Sequence, residues 1–190
     1  MVKVDFICEG NTEKIIVDSE NFRNLLNIKK CKVGRVINAE GKGNIHKEII
    51  KSTDADYVFI FTDLDNDNCP LITIENHIKK SKRADKKYKK NKKHIFIIAI
   101  KEIESWFLAD KKAMKNLKIH FNKNPEELEE PKDKINSLLN KNRRRKILIG
   151  EEVIATKFIN AGFSIENAAQ NQYCTSAKHF IKKLNKINNN

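Results

Sequence analysis

The stretch Phe59-Ile60-Phe61-Thr62-Asp63-Leu64-Asp65-Asn66-Asp67 runs from an apolar, strand-type segment into three carboxylates spaced two apart. A second apolar segment, Val2 to Cys8, ends on Glu9 and Gly10. Carboxylates gathered at strand ends repel one another unless a cation sits among them, and hard oxygen donors suit magnesium. A metal lets an acidic pocket accept an anionic backbone, activates a water or hydroxyl, and stabilises the leaving oxygen, with one ion or two. The residue types therefore point to phosphoryl transfer or phosphodiester cleavage centred on Glu9, Asp63 and Asp65. Asp-Asn-Asp-Asn is also good turn chemistry, which sets Asp67 in the turn after the strand, as a spare ligand or a turn residue. The Gly and terminal Glu of an EF-hand are absent at their required spacing.

These groups need a scaffold that brings separate strand ends together. Val2 to Cys8 reads as a central strand, and Asn11 or Thr12 as the cap of a helix carrying Ile15, Ile16, Val17, Phe22, Leu25 and Leu26. Lys32 to Asn38 is a second strand, followed by the glycine-broken Gly41-Lys42-Gly43-Asn44 and a helix from about Ile45 to Ser52. Tyr57 to Thr62 is nearly continuous in apolar residues, the signature of a strand buried on both faces of a parallel sheet. A helix from Leu71 to about Lys90, a strand from His94 to Ile100 and a helix over Glu102 to Asp110 follow. Alternation of this kind predicts right-handed βαβ units, with functional groups beyond the carboxyl ends of the strands. Two carboxylates two apart in an extended segment share a face, so Asp63 and Asp65 are expected to point the same way. Residues 111–190 read as helices alone, near Pro131 to Asn140, Glu151 to Asn160 and Ser176 to Ile187, with Ile147 to Ile149 ambiguous.

The expected fold is thus α/β, a mostly parallel four-stranded sheet flanked by helices: a core over residues 1–110 and a helical extension over 111–190, forming one compact unit. At 190 residues the chain is long enough for one sizeable core. Cys8, Cys31, Cys69 and Cys174 form no CxxC pair, so zinc-knuckle and redox chemistry are not indicated. No leader and no stretch of transmembrane length is visible, which predicts a cytoplasmic protein. Gly41-Lys42-Gly43-Asn44 lacks the P-loop pattern and the histidines lack HExxH spacing, excluding an NTPase and a zincin by motif.

Lys and Arg total 38 against 25 Asp and Glu, a formal charge of +13. Such an excess marks a polyanion-binding surface, with nucleic acid as the leading partner, although an AT-rich coding bias toward Lys accounts for part of it. The densest run, Lys79 to Lys93, includes Lys86, Lys87, Lys89 and Lys90 and would track a phosphate backbone; an exposed, frayed helix end is an equal reading. Arg143-Arg144-Arg145-Lys146 is a second cluster, suited to bidentate phosphate contact. Lys42, between two glycines, is a third candidate for a phosphate.

Glu9-Gly10 after the first strand and Asp63-Leu64-Asp65 after the third resemble the Toprim domain of topoisomerases, bacterial primases and overcoming-lysogenization-defect nucleases. More closely, Cys8-Glu9-Gly10-Asn11-Thr12-Glu13, Asp63-Leu64-Asp65, Glu102-Ile103-Glu104-Ser105-Trp106-Phe107-Leu108-Ala109-Asp110, Gly162-Phe163-Ser164 and Ser176 resemble small stand-alone Toprim-like proteins of bacteria and archaea. Several members of that group sit in phage-defence loci. The resemblance implies a Toprim-like (Rossmann-like) fold. It implies that Glu9 is the Toprim glutamate, acting as general acid/base or metal ligand, and that Asp63 and Asp65 hold Mg2+, with Mn2+ as a substitute. Glu13 matches the extended first motif as an additional acidic candidate. Glu104 matches the Glu-Ser-Trp motif as a further metal-site acid, a place Glu102 is also able to take. Trp106 and Phe107 are expected in the core.

The leading expectation is a magnesium-dependent Toprim-type nuclease acting on DNA or RNA. The alternative is a catalytically silent nucleic-acid-binding or effector module whose ATPase partner is a separate protein. A phosphoaspartate switch using Asp63 or Asp65 is a distant third.

Overall fold

The computed structural model describes residues 1–51, 53–65, 67, 69–89, 93–141 and 147–187. Four strands, β1 (Val2–Cys8), β2 (Cys31–Asn38), β3 (Tyr57–Asp63) and β4 (His94–Ala99), pair in the order β2-β1-β3-β4. All three pairings are parallel. The inner strands β1 and β3 are buried on both faces, which is why their sequences read as nearly unbroken apolar runs. Ile7 stands opposite Ile60 in the β1–β3 register. Continuing that register by two residues sets Glu9 beside Thr62, so strand pairing alone brings the first acidic motif to the second.

One buried polar residue interrupts β1. Asp5 is 1% exposed, at a register shift between Val4 and Phe6 in the pairing with β2. Its carboxylate accepts from the Arg35 amide (2.8 Å), Arg35 Nε (2.9 Å) and the Thr53 hydroxyl (2.6 Å). Burial works against the charge, but these partners outweigh it and hold the Asp5 pKa below its ordinary value. Gly34 has no side chain because the Asp5 carboxylate occupies the space a Cβ would fill.

Helices cover both faces of the sheet. The first expected helix is two, α1 (Asn11–Asp18) and α2 (Glu20–Ile28), capped by Gly10 and Ser19. Ser19 takes an extended conformation and its hydroxyl accepts from the Phe22 amide at 3.3 Å, so the apolar spacing continues across a break that side-chain periodicity does not reveal. Next come α3 (Ile45–Ile49), α4 (Pro70–Ala84) and α5 (Glu104–Ala109). α4 ends at Ala84, six residues before the predicted Lys90, because the following lysine-rich run has no apolar face to hold it as helix. α6 (Lys111–Asn116), α7 (Pro131–Leu139), α8 (Glu151–Asn160), α9 (Ile165–Gln170) and α10 (Thr175–Lys186) complete the elements, with a 3-10 turn at Pro125–Glu127. The short α6 and α9 are additions to the sequence reading.

This is the expected α/β architecture, with a four-stranded parallel sheet between helices, consistent with a Toprim-like fold. One apolar cluster joins β1, β3, α2 and α5 to α8, α9 and α10, so residues before and after 110 share a core. Phe180 of α10 stacks among Phe22, Phe59 and Phe61. A smaller cluster on the other face joins Ile7 and Ile60 to α3 and to Phe96 and Ile98 of β4. Trp106 and Phe107 are both fully buried, as expected. Among the described residues no helix is long and apolar enough to cross a membrane.

Candidate functional site

The carboxyl ends of β1 and β3 open into a cavity of about 550 Å³. Four sequence candidates line it: Glu9, Glu13, Asp63 and Glu104. Glu9 leaves the end of β1, and its Oε2 accepts from the Thr62 hydroxyl (2.6 Å) and the Asp63 amide (3.2 Å). Glu13 sits in the first turn of α1 and accepts from the Gly10 amide at 3.0 Å, so the turn after β1 aims both acids at one space. Glu104 opens α5, where Thr12 donates to its Oε1 at 3.2 Å across the cavity. Asp63 closes β3, and its Oδ1 is buried without a hydrogen-bond partner among the described residues.

This packing of acids makes their charges costly. Glu13 and Glu104 are each 4% exposed, and burial, reinforced by neighbouring carboxylates, pushes each pKa up to about 7. Asp63 is raised well above its ordinary value by burial first and then by Glu13, Glu104, Glu9 and Asp65. Glu9 is raised by burial, against the opposing hydrogen bonds from Thr62 and the Asp63 amide. Burial thus works against the charge of each of these four acids.

Asp65 and Asp67 stand apart from this group. β3 ends at Asp63; the Leu64 amide bonds to Ala99 O (2.8 Å), and Asp65 turns into the left-handed region at φ 51°. The expectation that Asp63 and Asp65 share a face is corrected by this turn, because the extended segment stops before Asp65. Lys42 Nζ bridges the pair, 3.0 Å from Asp65 and 3.1 Å from Asp67, and also donates to Leu64 O at 3.3 Å. Thr73 donates to Asp67 at 2.7 Å, and that bond with Lys42 lowers the Asp67 pKa. Lys42, expected at a phosphate, thus neutralises the acidic turn. The Gly41 amide bonds to Glu9 O at 2.7 Å and Gly41 takes φ 112°, a conformation suited to glycine, which folds the loop back toward β1.

Three further acids line the cavity. Glu102 accepts from the Lys132 amide at 3.0 Å, and Glu151, at the start of α8, pairs with Lys132 Nζ at 3.2 Å. Both Glu102 and Glu104 therefore reach the site. Glu40 completes the acidic rim. Glu151, Lys132 and Glu40 carry no local sequence signal, since their loops and helix starts reach the cavity only through tertiary packing. Lys86, Lys87 and Lys89 lie beyond α4 and are exposed, with the Lys87 amide turned onto Asp85 at 2.8 Å. Lys90, Arg143, Arg144 and Arg145 lie outside the described residues.

Seven carboxylates line the cavity, the buried Asp63 Oδ1 lacks a hydrogen-bond partner among the described residues, and burial, reinforced by neighbouring carboxylates, lifts the pKa values. That donor set fits a hard divalent cation. Among the described residues no group of three or more His, Cys, Asp or Glu side chains stands close enough together to hold a metal by itself. Magnesium commonly takes one or two carboxylates and completes its shell with water and phosphate oxygens, which matches a partial donor set.

Fold and cavity together define a parallel α/β protein with an acidic cleft at the carboxyl ends of its central strands. Residues 8–185 match the model of the family described as Domain of unknown function (DUF4276), and the chain belongs to that family. None of the curated proteins matches it. Among solved structures, the chain is similar to the C-terminal region of the Burkholderia pseudomallei OLD protein at 16% identity, covering 96% of this chain and 98% of that one, with a TM-score of 0.44.

Proposed function

We propose that the protein is a Toprim-type, magnesium-dependent nuclease that hydrolyses phosphodiester bonds of DNA or RNA, with a role in phage defence. The observation that carries this reading is the convergence of Glu9, Glu13, Asp63 and Glu104 on one cleft at the ends of β1 and β3. The match of the Glu9-Gly10 and Asp63-Leu64-Asp65 motifs to the Toprim pattern supports it independently. Glu9 and Asp63 would hold a magnesium or manganese ion, with Glu104, Asp65 and Asp67 as further candidate ligands, the last two now paired with Lys42. When bound, the ion polarises a phosphoryl oxygen and lowers the pKa of an attached water.

The protein's own groups do the rest. Thr62 and the Asp63 amide fix the Glu9 carboxylate so that its free oxygen faces the cleft. Glu13 and Glu104, buried in the same cleft, are the candidates for a general acid toward the leaving oxygen. Lys132 stays cationic at the rim; burial opposes its charge, but Glu151, Glu104 and Glu102 outweigh that and raise its pKa.

The test is cleavage of single- and double-stranded DNA and RNA by purified protein with magnesium or manganese. Glu9→Ala and Asp63→Ala are expected to lower the rate at least about a hundredfold, in line with loss of a positioned acid or base. Equal activity in the variants contradicts the reading.

The Lys42 bridge favours one second reading. With Asp65 and Asp67 already neutralised, the same cleft suits a silent nucleic-acid-binding or effector module coupled to a separate ATPase partner. That reading expects nucleic-acid binding without products over long incubation.

A further inference from the structure

A second, larger cavity of about 800 Å³ lies at the other end of α5, between α6, α9 and the segment after residue 120. Its chemistry is opposite to that of the acidic cleft. Lys111, Lys112 and Lys123 line it, all exposed and none in an ion pair among the described residues. Asn122 and Gln170 bring amide groups that make no side-chain hydrogen bond among the described residues, and Tyr173 stands at its rim, 45% exposed. The acid in the lining, Asp110, is spent: its Oδ1 accepts from the Lys112 and Ala113 amides (2.9 and 3.0 Å) and its Oδ2 from the Ser164 amide (3.0 Å).

Uncompensated ammonium groups fit phosphates. Open amides pair with the edges of unstacked bases, and an exposed tyrosine ring offers a stacking platform. Duplex bases are not available to such a cavity, whereas a single strand presents phosphate and base together. We propose that this cavity seats a nucleotide of single-stranded DNA or RNA, with its phosphates on Lys111, Lys112 and Lys123, its base against Tyr173 and its edge on Asn122 or Gln170. α5 connects the two cavities, running from Glu104 in the acidic cleft to Ala109 at the basic one. At 1.5 Å per residue, Glu104 and Ala109 lie about 8 Å apart along the helix axis. The inference deepens the nuclease reading, on which it rests for the strand being a substrate. It supplies the phosphate grip that a cleft crowded with carboxylates does not.

The experiment measures binding of fluorescein-labelled 12-nucleotide single-stranded DNA and RNA to the full chain by anisotropy in EDTA, across a salt series. Loss of Lys111, Lys112 and Lys123 together as glutamines is expected to weaken binding at least about tenfold and to reduce the salt slope by about 2, at about 0.7 per neutralised phosphate. Tyr173→Ala is expected to weaken binding about tenfold with the slope unchanged, as loss of a stacked base requires. A control with the same charge change, Lys182→Gln, Lys183→Gln and Lys186→Gln on α10, is expected to cost under about threefold. All these positions other than Lys183 are exposed, and circular dichroism confirms folding before titration. Wild-type affinity in both cavity variants, or a loss in the α10 control as large as in the cavity triple, overturns the inference. Because no metal is present, this outcome is separate from that of the nuclease reading, which the cleavage assay of Glu9→Ala and Asp63→Ala tests.

Discussion

At the level of single residues, the raised pKa values of the buried cleft acids have a thermodynamic signature. Glu13 and Glu104 have an ordinary pKa of 4.5 and about 7 in the fold. The folded state then binds more protons than the unfolded chain between those values. Their contribution is therefore fully present below about pH 4.5 and is lost as pH rises through about 7. Urea unfolding of the metal-free protein is expected to show lower stability at about pH 8 than at about pH 5, by on the order of 3 kcal/mol. Glu13→Gln with Glu104→Gln should flatten that slope, and a slope unchanged in the double variant would place the pH dependence elsewhere. Lys42 acts in the opposite sense, as a resident cation on Asp65 and Asp67. Lys42→Ala is expected to tighten manganese binding several-fold by calorimetry, since it removes a competing charge at about 3 Å. Weaker binding in that variant would contradict the competition.

At the level of elements, the motif around Trp106 holds the chain together more than it does chemistry. Trp106 Nε1 donates to Ser176 Oγ at 2.6 Å, and the Ser176 hydroxyl and amide donate to Glu126 Oε1 at 2.5 and 2.8 Å. Three segments far apart in sequence meet at one buried hydroxyl. Ser176→Ala leaves an indole N–H and part of a carboxylate unsatisfied, which costs about 1–3 kcal/mol. Trp106 is the single tryptophan, so its emission during denaturant unfolding reads the loss directly. An unchanged midpoint would show the network to be dispensable. In the same helix region Asp110 caps α6 and ties it to Ser164 ahead of α9.

Strands were the most legible elements, because β1 and β3 are buried on both faces and their apolar runs end where the acids begin. Glu9 and Asp63 are legible for the same reason, at the ends of those strands, whereas Glu13 and Glu104 are marked only by the resemblance of their motifs to the Toprim-like group. Asp65 was misplaced in direction because the Leu64 amide bonds to Ala99 O, a partner from β4 that local spacing does not encode. Lys42 reads as a phosphate-binding residue because its glycine neighbours are informative about backbone freedom and silent about which carboxylates lie opposite. Glu40, Glu151 and Lys132 reach the cleft only through packing of the segments that carry them. The break at Ser19 left the apolar spacing intact, so helix periodicity ran through it.

At the level of the whole molecule, acid and base are segregated. Seven carboxylates line the cleft, while the chain carries a formal charge of +13. The excess positive charge must therefore lie outside the cleft, where it draws a polyanion toward the protein while the cleft itself repels it. Nucleic-acid affinity is expected to fall steeply with salt, as counterion release requires. A salt-independent affinity would contradict an electrostatic approach. Cation binding in the cleft should in turn lift that repulsion, so oligonucleotide affinity is expected to rise when magnesium replaces EDTA, and a fall would count against metal-bridged docking.

The most direct measurement is the anomalous signal of manganese in crystals soaked with that ion. The account predicts a peak within coordination distance of the Glu9 and Asp63 carboxylates, lost in the Asp63→Ala protein. No peak there, or manganese found only elsewhere on the molecule, would contradict the cleft as a metal centre and with it the proposed chemistry.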